Sequence, residues 1–420
     1  MHRRAWVAGL VAMAGAMALF ASGRPAPESA PSKGRDWHVH VGAPGDGSSA
    51  KPFGRVSDAL AVAGPGDTVL IGPGTYTEAI ETVRGGTPAA ALVIRALPAD
   101  RRPVLEATGR VATLSHPHVT LDGLVLDGRY GPDDAVRVTS AANGLVLRNL
   151  DVRRSGRDCI DLAGPSDVLV ERILIHHCLN AEGGREDAHG LVAGPVERLT
   201  VRDSEIHTFS GDGLQLDPSR AAPGWTDVRL ERVKLWLAPL AIATNGFPAG
   251  VVPGENGIDT KTPRGGRRAA LHVEDVEAWG FGNGLIPNMA AFNIKERVDA
   301  VFERVSVHHS QIGFRLRGRA DAGATVSIGR AVLHHVSTAI RFEDDLASLQ
   351  VRDMTLGRDV GDAFRRVASP ATTLDVRDLI VLGTRLPIEV GADRARLVGP
   401  QAFVNAAADD YRLVNERTPQ

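Results

Sequence analysis

The sequence predicts an all-β fold, a right-handed parallel β-helix of about ten or more coils with a helical cap at its N-terminal end. From residue 119 onward, an eight-residue segment with apolar residues at alternate positions recurs ten times, at spacings of 23 to 43 residues. Alternation with a period of two indicates strands, and most of these units are too short to hold two helices. One repeat buries little apolar surface alone, whereas stacked repeats share a continuous core.

The composition agrees with this fold and limits the function. The chain has 46 glycines, 43% hydrophobic residues and 5% aromatic residues, which suits a β-rich protein with many tight turns. Its formal net charge is -2, and removal of residues 1–23, which contain Arg3 and Arg4 but no acid, takes this charge to -4. A mildly acidic protein is not expected to bind nucleic acid.

Residues 1–23 have the layout of a secretory signal peptide. Arg3 and Arg4 precede an apolar run over residues 5–21, which ends at a site of small residues. This run is shorter than the roughly 20 residues that span a bilayer. We therefore expect a secreted or periplasmic protein with no membrane anchor after cleavage, followed by a flexible leader over residues 24–35, which are rich in Pro and Ser.

The remaining chain divides into a solenoid and a tail. Residues 52–63, PFGRVSDALAVA, form an amphipathic pattern that predicts the capping helix, and AGPGDTVLIGPGTYTE follows as the first strand and turn. We expect the β-helix domain over residues 36–395 and a C-terminal cap or tail over residues 396–420. Nothing in the pattern calls for an oligomer, and we expect a monomer.

Each repeat contains a second short strand, which begins with a small residue and then alternates apolar and polar residues. Outward residues of neighbouring coils should stack about 4.8 Å apart. The first predicted outward column consists of Asp161, Val192, Gln215, Asp259, Asn293, Arg315 and Arg341. The next consists of Ala163, Gly194, Asp217, Lys261, Lys295, Arg317 and Glu343.

The second column places Lys261, Lys295 and Arg317 on three successive coils. Like charges that face each other across strands destabilise a sheet by up to about 1 kcal/mol per pair, so these cations need a compensating partner. A bound polyanion would supply it, and uronate polysaccharides carry one carboxylate per sugar along an extended chain. The partner that we expect is therefore an acidic polysaccharide.

Four insertions interrupt the repeat beside the same coils. They cover residues 178–189, 217–227, 237–256 and 279–290. Long loops in a compact repeat protein are usually functional, and insertions in a solenoid often border the binding face. We therefore expect a walled cleft in the middle of the solenoid.

Cleavage of uronate chains by β-elimination needs a neutralised carboxylate, a base for the proton on the adjacent carbon, and an acid for the leaving oxygen. Lysines flanked by other cations meet the requirement for a base, and arginine or calcium stabilises the developing charge. The predicted catalytic residues are Lys261, Lys295, Arg315 and Arg317. Gln215, Asn293, Arg341 and His189 are predicted to bind substrate. Calcium is a candidate cofactor with Asp217, Asp259, Glu255 and Asp212 as oxygen ligands, and no organic cofactor is expected.

Four segments resemble known families. PGDTVLIGPGTY resembles the opening of secreted β-helix proteins of the pectate-lyase-like superfamily. ENGIDTK, NIKER and FRLRG resemble the polysaccharide lyase family that includes chondroitinase B and alginate lyases. That family pairs a lysine base with an arginine one coil later and places Asn and Glu calcium ligands just before the lysine. This resemblance implies a lyase. Its lysine–arginine pair falls on Lys295 with Arg315 and Arg317, whereas its calcium ligands fall on Glu255 and Asn256, just before Lys261.

Other functions stay open beside the lyase. A hydrolase of the polygalacturonase type would use clustered aspartates, here Asp212, Asp217 and Asp259, as acid and base. An epimerase would remove the same proton as a lyase. A surface protein would bind the acidic glycan without cleaving it. Because one fold hosts many activities, the lyase is our preferred hypothesis among these.

The two cysteines and the paired histidines have simpler interpretations. We expect Cys159 and Cys178 to be separate thiols that pack as small hydrophobes rather than a disulfide. The pairs 176–177, 308–309 and 334–335 all follow the first strand of a coil at equivalent places. They predict a histidine ladder at a turn rather than a zinc site.

Overall fold

The computed structural model describes residues 34–181, 187–220, 222–284, 286–318, 323–343, 346–367, 373–383, 386–387 and 394–414. The predicted signal peptide and the leader up to residue 33 lie outside these residues. Within them, no helix has both the length and the apolar character that a membrane span requires.

The N-terminal third contains one helix and thirteen strands. The helix is α1 (Val56–Val62). The strands are β1 (Asp36–Val39), β2 (Thr68–Ile71), β3 (Thr75–Tyr76), β4 (Ile80–Glu81), β5 (Leu92–Ala96), β6 (Val104–Glu106), β7 (Ala112–Leu114), β8 (Val119–Asp122), β9 (Val125–Asp127), β10 (Val136–Thr139), β11 (Val146–Arg148), β12 (Asp151–Ser155) and β13 (Ile160–Ala163).

Twenty-two further strands and two 3₁₀ turns follow. The central strands are β14 (Ser166–Glu171), β15 (Leu174–Cys178), β16 (Leu191–Ala193), β17 (Glu197–Phe209), β18 (Leu214–Leu216), β19 (Thr226–Trp236), β20 (Ile258–Thr260), β21 (Ala269–Glu274), β22 (Glu277–Trp279), β23 (Ala290–Ile294), β24 (Val298–Glu303), β25 (Ser306–Arg317), β26 (Thr325–Gly329) and β27 (Val332–Glu343). The last strands are β28 (Ser348–Arg352), β29 (Thr355–Leu356), β30 (Val360–Val367), β31 (Thr373–Arg377), β32 (Leu379–Leu382), β33 (Ala395–Val398), β34 (Phe403–Asn405) and β35 (Asp410–Leu413), with the 3₁₀ turns over Pro400–Ala402 and Ala406–Ala408.

The strands form three parallel sheets, because each strand pairs with the equivalent strand one coil away. The described chain is therefore a right-handed parallel β-helix of about 11 turns, as predicted. Sheet 1 contains β1, β2, β5, β8, β11, β14, β17, β19, β21, β24, β26, β28 and β31. Sheet 2 contains β3, β6, β9, β12, β15, β17, β19, β22, β25, β27, β29, β32 and β33. Sheet 3 contains β4, β7, β10, β13, β16, β18, β20, β23, β25, β27 and β30.

The register of sheet 3 confirms the first predicted outward column. Gln215 pairs with Asp259, and Asp259 pairs with Asn293. Asn293 then pairs with Arg315, and Arg315 with Arg341. The predicted alignment is correct because inward residues must stay apolar in every coil, and a shift by one residue would turn the polar side chains inward.

The small residue that opens each sheet 3 strand has a steric cause. A Cβ atom on Gly213 would lie 2.7 Å from the carbonyl oxygen of Gly257, and one on Gly257 would lie 2.5 Å from that of Ala291. Both contacts are with backbone, which cannot move aside. The coils therefore approach too closely at this corner for a larger side chain at these two positions.

The predicted N-terminal helix is present over Val56–Val62. Val56, Ala59 and Leu60 are buried, and the helix packs against β1, β2 and β4. The Glu78 carboxylate accepts from the backbone N–H of Val56 at 2.7 Å, which satisfies a donor that the first turn leaves open. One short helix does not amount to the helical cap that the sequence predicts, and the cap stays a prediction.

The C-terminal segment forms an antiparallel hairpin from β34 and β35. Phe403 and Tyr411 of this hairpin pack with Ile380 of β32 in a small apolar cluster of their own. The hairpin therefore lies beside the last coils of sheet 2. The strands of the solenoid extend to Val398, three residues beyond the predicted boundary.

Cys159 and Cys178 form a disulfide, with their Cα atoms 5.5 Å apart. The prediction of two separate thiols is therefore wrong. Cys178 ends β15 in sheet 2, and Cys159 stands immediately before β13 in sheet 3. The corner between the two sheets brings these positions together on neighbouring coils, which alignment within a single column does not reveal.

The disulfide closes a loop of about one coil, since its cysteines are 19 residues apart. Replacing both cysteines with serine should lower the free energy of unfolding by about 3 kcal/mol, because the unfolded chain regains the entropy of the open loop. Denaturant titration of wild type and double variant checks this value. Reductant should destabilise the wild type and leave the double variant unchanged; equal stability of the two proteins without reductant would contradict the prediction.

The corner between sheets 1 and 2 carries a ladder of charged residues with left-handed backbone. We name it the corner ladder, and it consists of Arg172, Asp203, Arg232, Asp275 and Arg304, with φ between 51° and 55°. Side chains of opposite charge alternate along it. Nε of Arg232 donates to Asp203 at 2.6 Å, and Nε of Arg304 donates to Asp275 at 2.7 Å.

The outer face of sheet 2 carries a stack of aromatic rings, one from each coil. Neighbouring rings have centroids 4.1 to 5.6 Å apart and planes within 17° of parallel. This aromatic ladder consists of His176, His207, Trp236, Trp279, His308 and His334. The predicted histidine ladder is confirmed, and two tryptophans extend it between the histidine pairs.

Low pH should destabilise the protein through His207, a member of the aromatic ladder. Burial, followed by the charges of His176 and His177, lowers the pKa of His207 from 6.5 to about 3. The unfolded chain therefore binds a proton below about pH 6.5 that the folded chain does not bind until about pH 3. Stability is fully present above pH 6.5 and is lost as the pH falls through this window, by at most about 1.4 kcal/mol per pH unit.

His207→Phe keeps the stacked ring but does not titrate. Between pH 7 and pH 4 its free energy of unfolding should fall by about 1 to 2 kcal/mol less than that of the wild type, allowing for the partial exposure of His207. Denaturant titrations at both pH values measure the difference, in which other titrating groups cancel. If the free energy of unfolding falls by the same amount in both proteins between pH 7 and pH 4, His207 does not cause the loss of stability in acid.

Candidate functional site

The outward side chains of β20, β23, β25 and β27, together with the residues that follow β20 and β23, form a strongly charged strip on sheet 3. The site strip consists of Asp259, Lys261, Asn293, Lys295, Arg315, Arg317, Arg341 and Glu343. It contains five cations and two carboxylates, a formal sum of +3. The side chains of the cations are only 15 to 33% exposed. Most of this positive charge is therefore withdrawn from bulk water.

Asp259 lies between the two lysines. Nζ of Lys295 is 2.8 Å from Oδ1 of Asp259, and Nζ of Lys261 is 3.8 Å from Oδ2. Nδ2 of Asn293 also donates to Oδ1, at 2.7 Å. Nζ of Lys261 donates to Oε1 of Gln215 at 3.3 Å. The expectation that the lysines face mainly other cations is therefore wrong, because a carboxylate from the neighbouring column reaches both.

Glu343 lies among three arginines as Asp259 lies between the two lysines. Its carboxylate lies 2.8 Å from Nε of Arg315, 2.9 Å from Nε of Arg341 and 3.5 Å from Nε of Arg317. Burial alone would raise the pKa of Glu343, but the hydrogen bond from Arg315 and the charges of the three arginines outweigh it and lower the pKa. One carboxylate therefore holds three arginines close together.

Of the four insertions that were predicted to border the same coils, two contact the site strip or residues next to it. From residues 217–227, the indole of Trp225 donates to the carbonyl oxygen of Lys261 at 2.8 Å. In the same insertion, Arg220 pairs with Glu296 at 2.7 Å. From residues 279–290, Asn288 accepts from Arg341 at 2.6 Å. The contacts of Trp225 and Asn288 therefore lie at the first and the last of the four rungs.

The other two insertions pack on each other. Leu240 and Phe247 of the insertion at 237–256 form an apolar cluster with Leu179 of the insertion at 178–189. Nδ2 of Asn245 donates to the carbonyl oxygen of Leu179 at 2.5 Å. Residues 182–186, which belong to the insertion at 178–189, lie outside the described residues.

Three of the four predicted substrate-binding residues are buried and contact other residues of the protein. Gln215 and Asn293 are 1% and 4% exposed and contact Asp259 through its carbonyl oxygen and carboxylate, respectively. His189 is 7% exposed, and its Nδ1 accepts from the backbone N–H of Asp212 at 2.7 Å. Of the four predicted substrate-binding residues, only Arg341 is one of the five cations of the site strip.

Three of the four predicted calcium ligands are buried. Oδ1 of Asp259 is taken by Lys295 and Asn293. Asp212 is buried and accepts two hydrogen bonds from Asn256; burial, with the charges of Asp259 and Glu255 added, raises the pKa of Asp212 well above its usual value. Asp217 is also buried. Asp259 and Asp212 thus do not offer the open oxygen ligands that calcium needs, and calcium dependence stays a prediction.

At the early end of the same face, Asp161 belongs to the first predicted column, but its neighbours Asp134, Asp158 and Arg137 were not predicted as part of a site. Within the described residues, Asp134, Asp158 and Asp161 offer carboxylate oxygens within 4.8 Å of one another, and Arg137 pairs with Asp161 and Asp134. Burial raises the pKa of Asp158, and the charge of Asp134 adds to this. A signal was present, because Arg137 pairs with Asp161 in the register and opens the same column.

One comparison with a solved structure at a TM-score above 0.5 supports the fold, and two further matches are reported beside it. The catalytic domain of a GH87 α-1,3-glucanase matches with a TM-score of 0.53 and 10% identity, over 85% of this chain and 70% of that one. The pectate lyase Pel9A matches with a TM-score of 0.47 and 16% identity, over 92% and 90%. An alginate lyase from Paenibacillus sp. str. FPU-7 matches with a TM-score of 0.46 and 15% identity, over 82% and 99%.

No protein-family model matches the sequence, and no curated protein matches it. At the identities of the solved structures, similarity is evidence for the parallel β-helix fold alone.

Proposed function

We propose that the protein binds an acidic, uronate-containing polysaccharide along the site strip and cleaves it by β-elimination. One observation carries the proposal: five largely withdrawn cations lie on four consecutive rungs of sheet 3 with only two carboxylates from the same rungs between them. Cations held away from water in this way attract a polyanion strongly, because solvent screens them less than exposed charges. Rungs about 4.8 Å apart suit a ligand with regularly spaced negative charges.

Arg315, Arg317 and Arg341 suit the first requirement of β-elimination. Glu343 holds them together, so their guanidinium groups can approach one substrate carboxylate and stabilise the negative charge that develops when the adjacent carbon loses its proton. The electron pair of that C–H bond then forms the carbon–carbon double bond, and the bond to the glycosidic oxygen breaks. The protonated base then gives the proton that it removed to the leaving oxygen, so the reaction balances without water.

Lys261 is our choice for the base. Its amine is 3.8 Å from the Asp259 carboxylate, whereas that of Lys295 is 2.8 Å away. The Lys261 side chain is also more exposed, at 24% against 16%. Lys295 is thus more firmly engaged inside the protein, and we assign it to charge neutralisation and to positioning Asp259.

The fold does not choose between lyase and hydrolase, since β-helix enzymes of both types exist among the matched structures. The choice rests on the site strip. A glycoside hydrolase needs two carboxyl groups that flank the scissile bond. Of the three aspartates considered for this role, Asp259 is engaged by Lys295 and Asn293, and Asp212 and Asp217 are buried. An epimerase or a glycan-binding protein would use the same cations, and the product distinguishes them.

We also propose that the protein is exported. Residues 1–23 resemble a signal peptide, and a disulfide between Cys159 and Cys178 suits an oxidising compartment. The expected partner is outside the cytoplasm as well, since uronate polysaccharides are extracellular polymers.

A screen of the purified protein against alginate, pectate and chondroitin tests the proposal, with calcium and then with chelator. Elimination gives an unsaturated product, which raises the ultraviolet absorbance. New reducing ends without this absorbance would establish hydrolysis instead. Binding without either product would establish a glycan-binding protein, and inversion of uronate residues in an intact chain would establish an epimerase. Loss of activity in chelator would add calcium to the mechanism.

A further inference from the structure

Three side chains that the proposed function does not use meet at the C-terminal hairpin. His334 and His335 are consecutive residues of β27, and Asp409 immediately precedes β35. One ligand atom from each lies within 4.8 Å of the other two. The group lies at sheet 2 and its corner, away from the site strip on sheet 3.

The distances within this group suit ligands around an ion. The Oδ1 atom of Asp409 is 3.3 Å from Nε2 of His335 and 3.6 Å from Nδ1 of His334. Both exceed the usual N–H···O hydrogen bond of about 2.7–3.2 Å. Bonds of about 2.0–2.1 Å in a tetrahedral zinc site separate neighbouring ligand atoms by about 3.4 Å.

Nδ1 of His334 gives a second, independent indication. His334 is 7% exposed, and its Nδ1 has no hydrogen-bond partner among the described residues. A buried polar atom without a partner costs about 1–3 kcal/mol. A metal ion at the centre of the group would accept its lone pair and remove this cost.

His335 is oriented by a carboxylate on its far side. Oδ2 of Asp359 lies 2.8 Å from Nδ1 of His335. A hydrogen bond there places the proton on Nδ1 and leaves the lone pair of Nε2 directed at Asp409. Metal-binding histidines almost always donate their second nitrogen in this way.

Asp409 is also engaged by other groups. The hydroxyl of Tyr411 and Nη2 of Arg358 each donate to its Oδ1 at 2.9 Å. The tyrosine holds the carboxylate in place. The guanidinium is a competitor, because its positive charge opposes a second cation at the same oxygen.

We propose that His334, His335 and Asp409 bind one transition-metal ion of the zinc class and that this ion fastens the C-terminal hairpin to β27. Two imidazole nitrogens and one carboxylate are ligands that zinc prefers. A cavity of about 1140 Å³, lined in part by His334, Asp409 and Tyr411, leaves a fourth coordination position open to water or a small anion. The site is independent of the proposed lyase activity.

Metal binding to the full-length protein tests the proposal. Protein stripped with chelator is dialysed against zinc alone, and metal per chain is measured by mass spectrometry; cobalt alone then reports geometry by its visible spectrum. We expect one zinc per chain, the intense cobalt bands of a tetrahedral site, and a higher melting temperature with zinc. Absence of stoichiometric zinc, or a weak octahedral cobalt spectrum, would overturn the proposal.

Variants locate the site. His335→Gln and Asp409→Asn should weaken zinc binding at least 100-fold, and Asp359→Asn by about 10- to 100-fold, since it removes only the orienting carboxylate. Arg358→Gln should tighten binding, which a variant that merely unfolded the hairpin would not do. His177→Gln, at the equivalent corner of an earlier coil, is the matched control and should bind as the wild type does. Equal losses in His177→Gln and His335→Gln would contradict the assignment.

Discussion

Replacing Lys261 with alanine is expected to lower the rate of β-elimination by about two to four orders of magnitude, which is the usual contribution of a general base. The proton on the carbon next to the carboxylate then has no acceptor, while the arginines that bind the carboxylate remain. We therefore expect the loss in kcat, with KM nearly unchanged. Initial rates of absorbance increase over a range of substrate concentrations separate the two constants.

Two other lysines make this prediction specific. Lys295→Ala should mainly raise KM, because it removes a charge next to the substrate and the closest partner of Asp259. Lys234→Ala is the control, since Lys234 is an exposed residue of β19 and not part of sheet 3. If kcat falls in Lys295→Ala and not in Lys261→Ala, Lys295 is the base and Lys261 has the role in charge neutralisation. If both variants keep full activity, the site strip is a binding surface and the proposed mechanism is wrong.

Glu343→Gln is expected to destabilise the protein by about 2 to 3 kcal/mol. Removing one partner of a buried ion pair costs about 3–5 kcal/mol because the other charge is left uncompensated. The estimate is lower here because Arg315, Arg317 and Arg341 keep some contact with water. Denaturant titration at neutral pH measures the change. Glu303→Gln, which removes an exposed partner of Arg330 on sheet 1, should cost about 0.5 kcal/mol or less.

The same variant tests what the arginines bind. A polyanion that occupies the site strip would replace the lost carboxylate, so alginate or pectate should raise the melting temperature of Glu343→Gln more than that of the wild type. An equal shift in both proteins would mean that the polysaccharide binds elsewhere.

The fold could be predicted because a solenoid repeats one simple requirement. Every coil must turn apolar residues inward at the same positions, so the alternation in the sequence fixes the register, and Asp259, Asn293 and Arg315 fall in one column as expected. The path of the C-terminal segment could not be predicted in this way, because residues 399–414 leave the repeat. The spacing of residues in the sequence therefore did not predict that Asp409 lies beside His334 and His335.

The candidate site could be predicted only as a set of positions. The sequence indicates which side chains face outward, but not how far each one reaches. Asp259 and Glu343 reach along the strands and pair with cations of adjacent coils, which reverses the expectation of a column of uncompensated charge. The disulfide between Cys159 and Cys178 escaped prediction for a related reason, since it joins two sheets across a corner rather than two residues of one column.

The corner ladder limits how this solenoid can change in length. Because arginine and aspartate alternate from Arg172 to Arg304, loss of a single coil between them would bring two residues of the same charge together, and like charges on adjacent strands repel. Loss of two coils would restore the alternation. The alternation ends at Arg304, because Arg330 follows it at the same corner and pairs with Glu303 instead. A coil can therefore be gained or lost singly only where a further carboxylate of this kind supplies the missing partner.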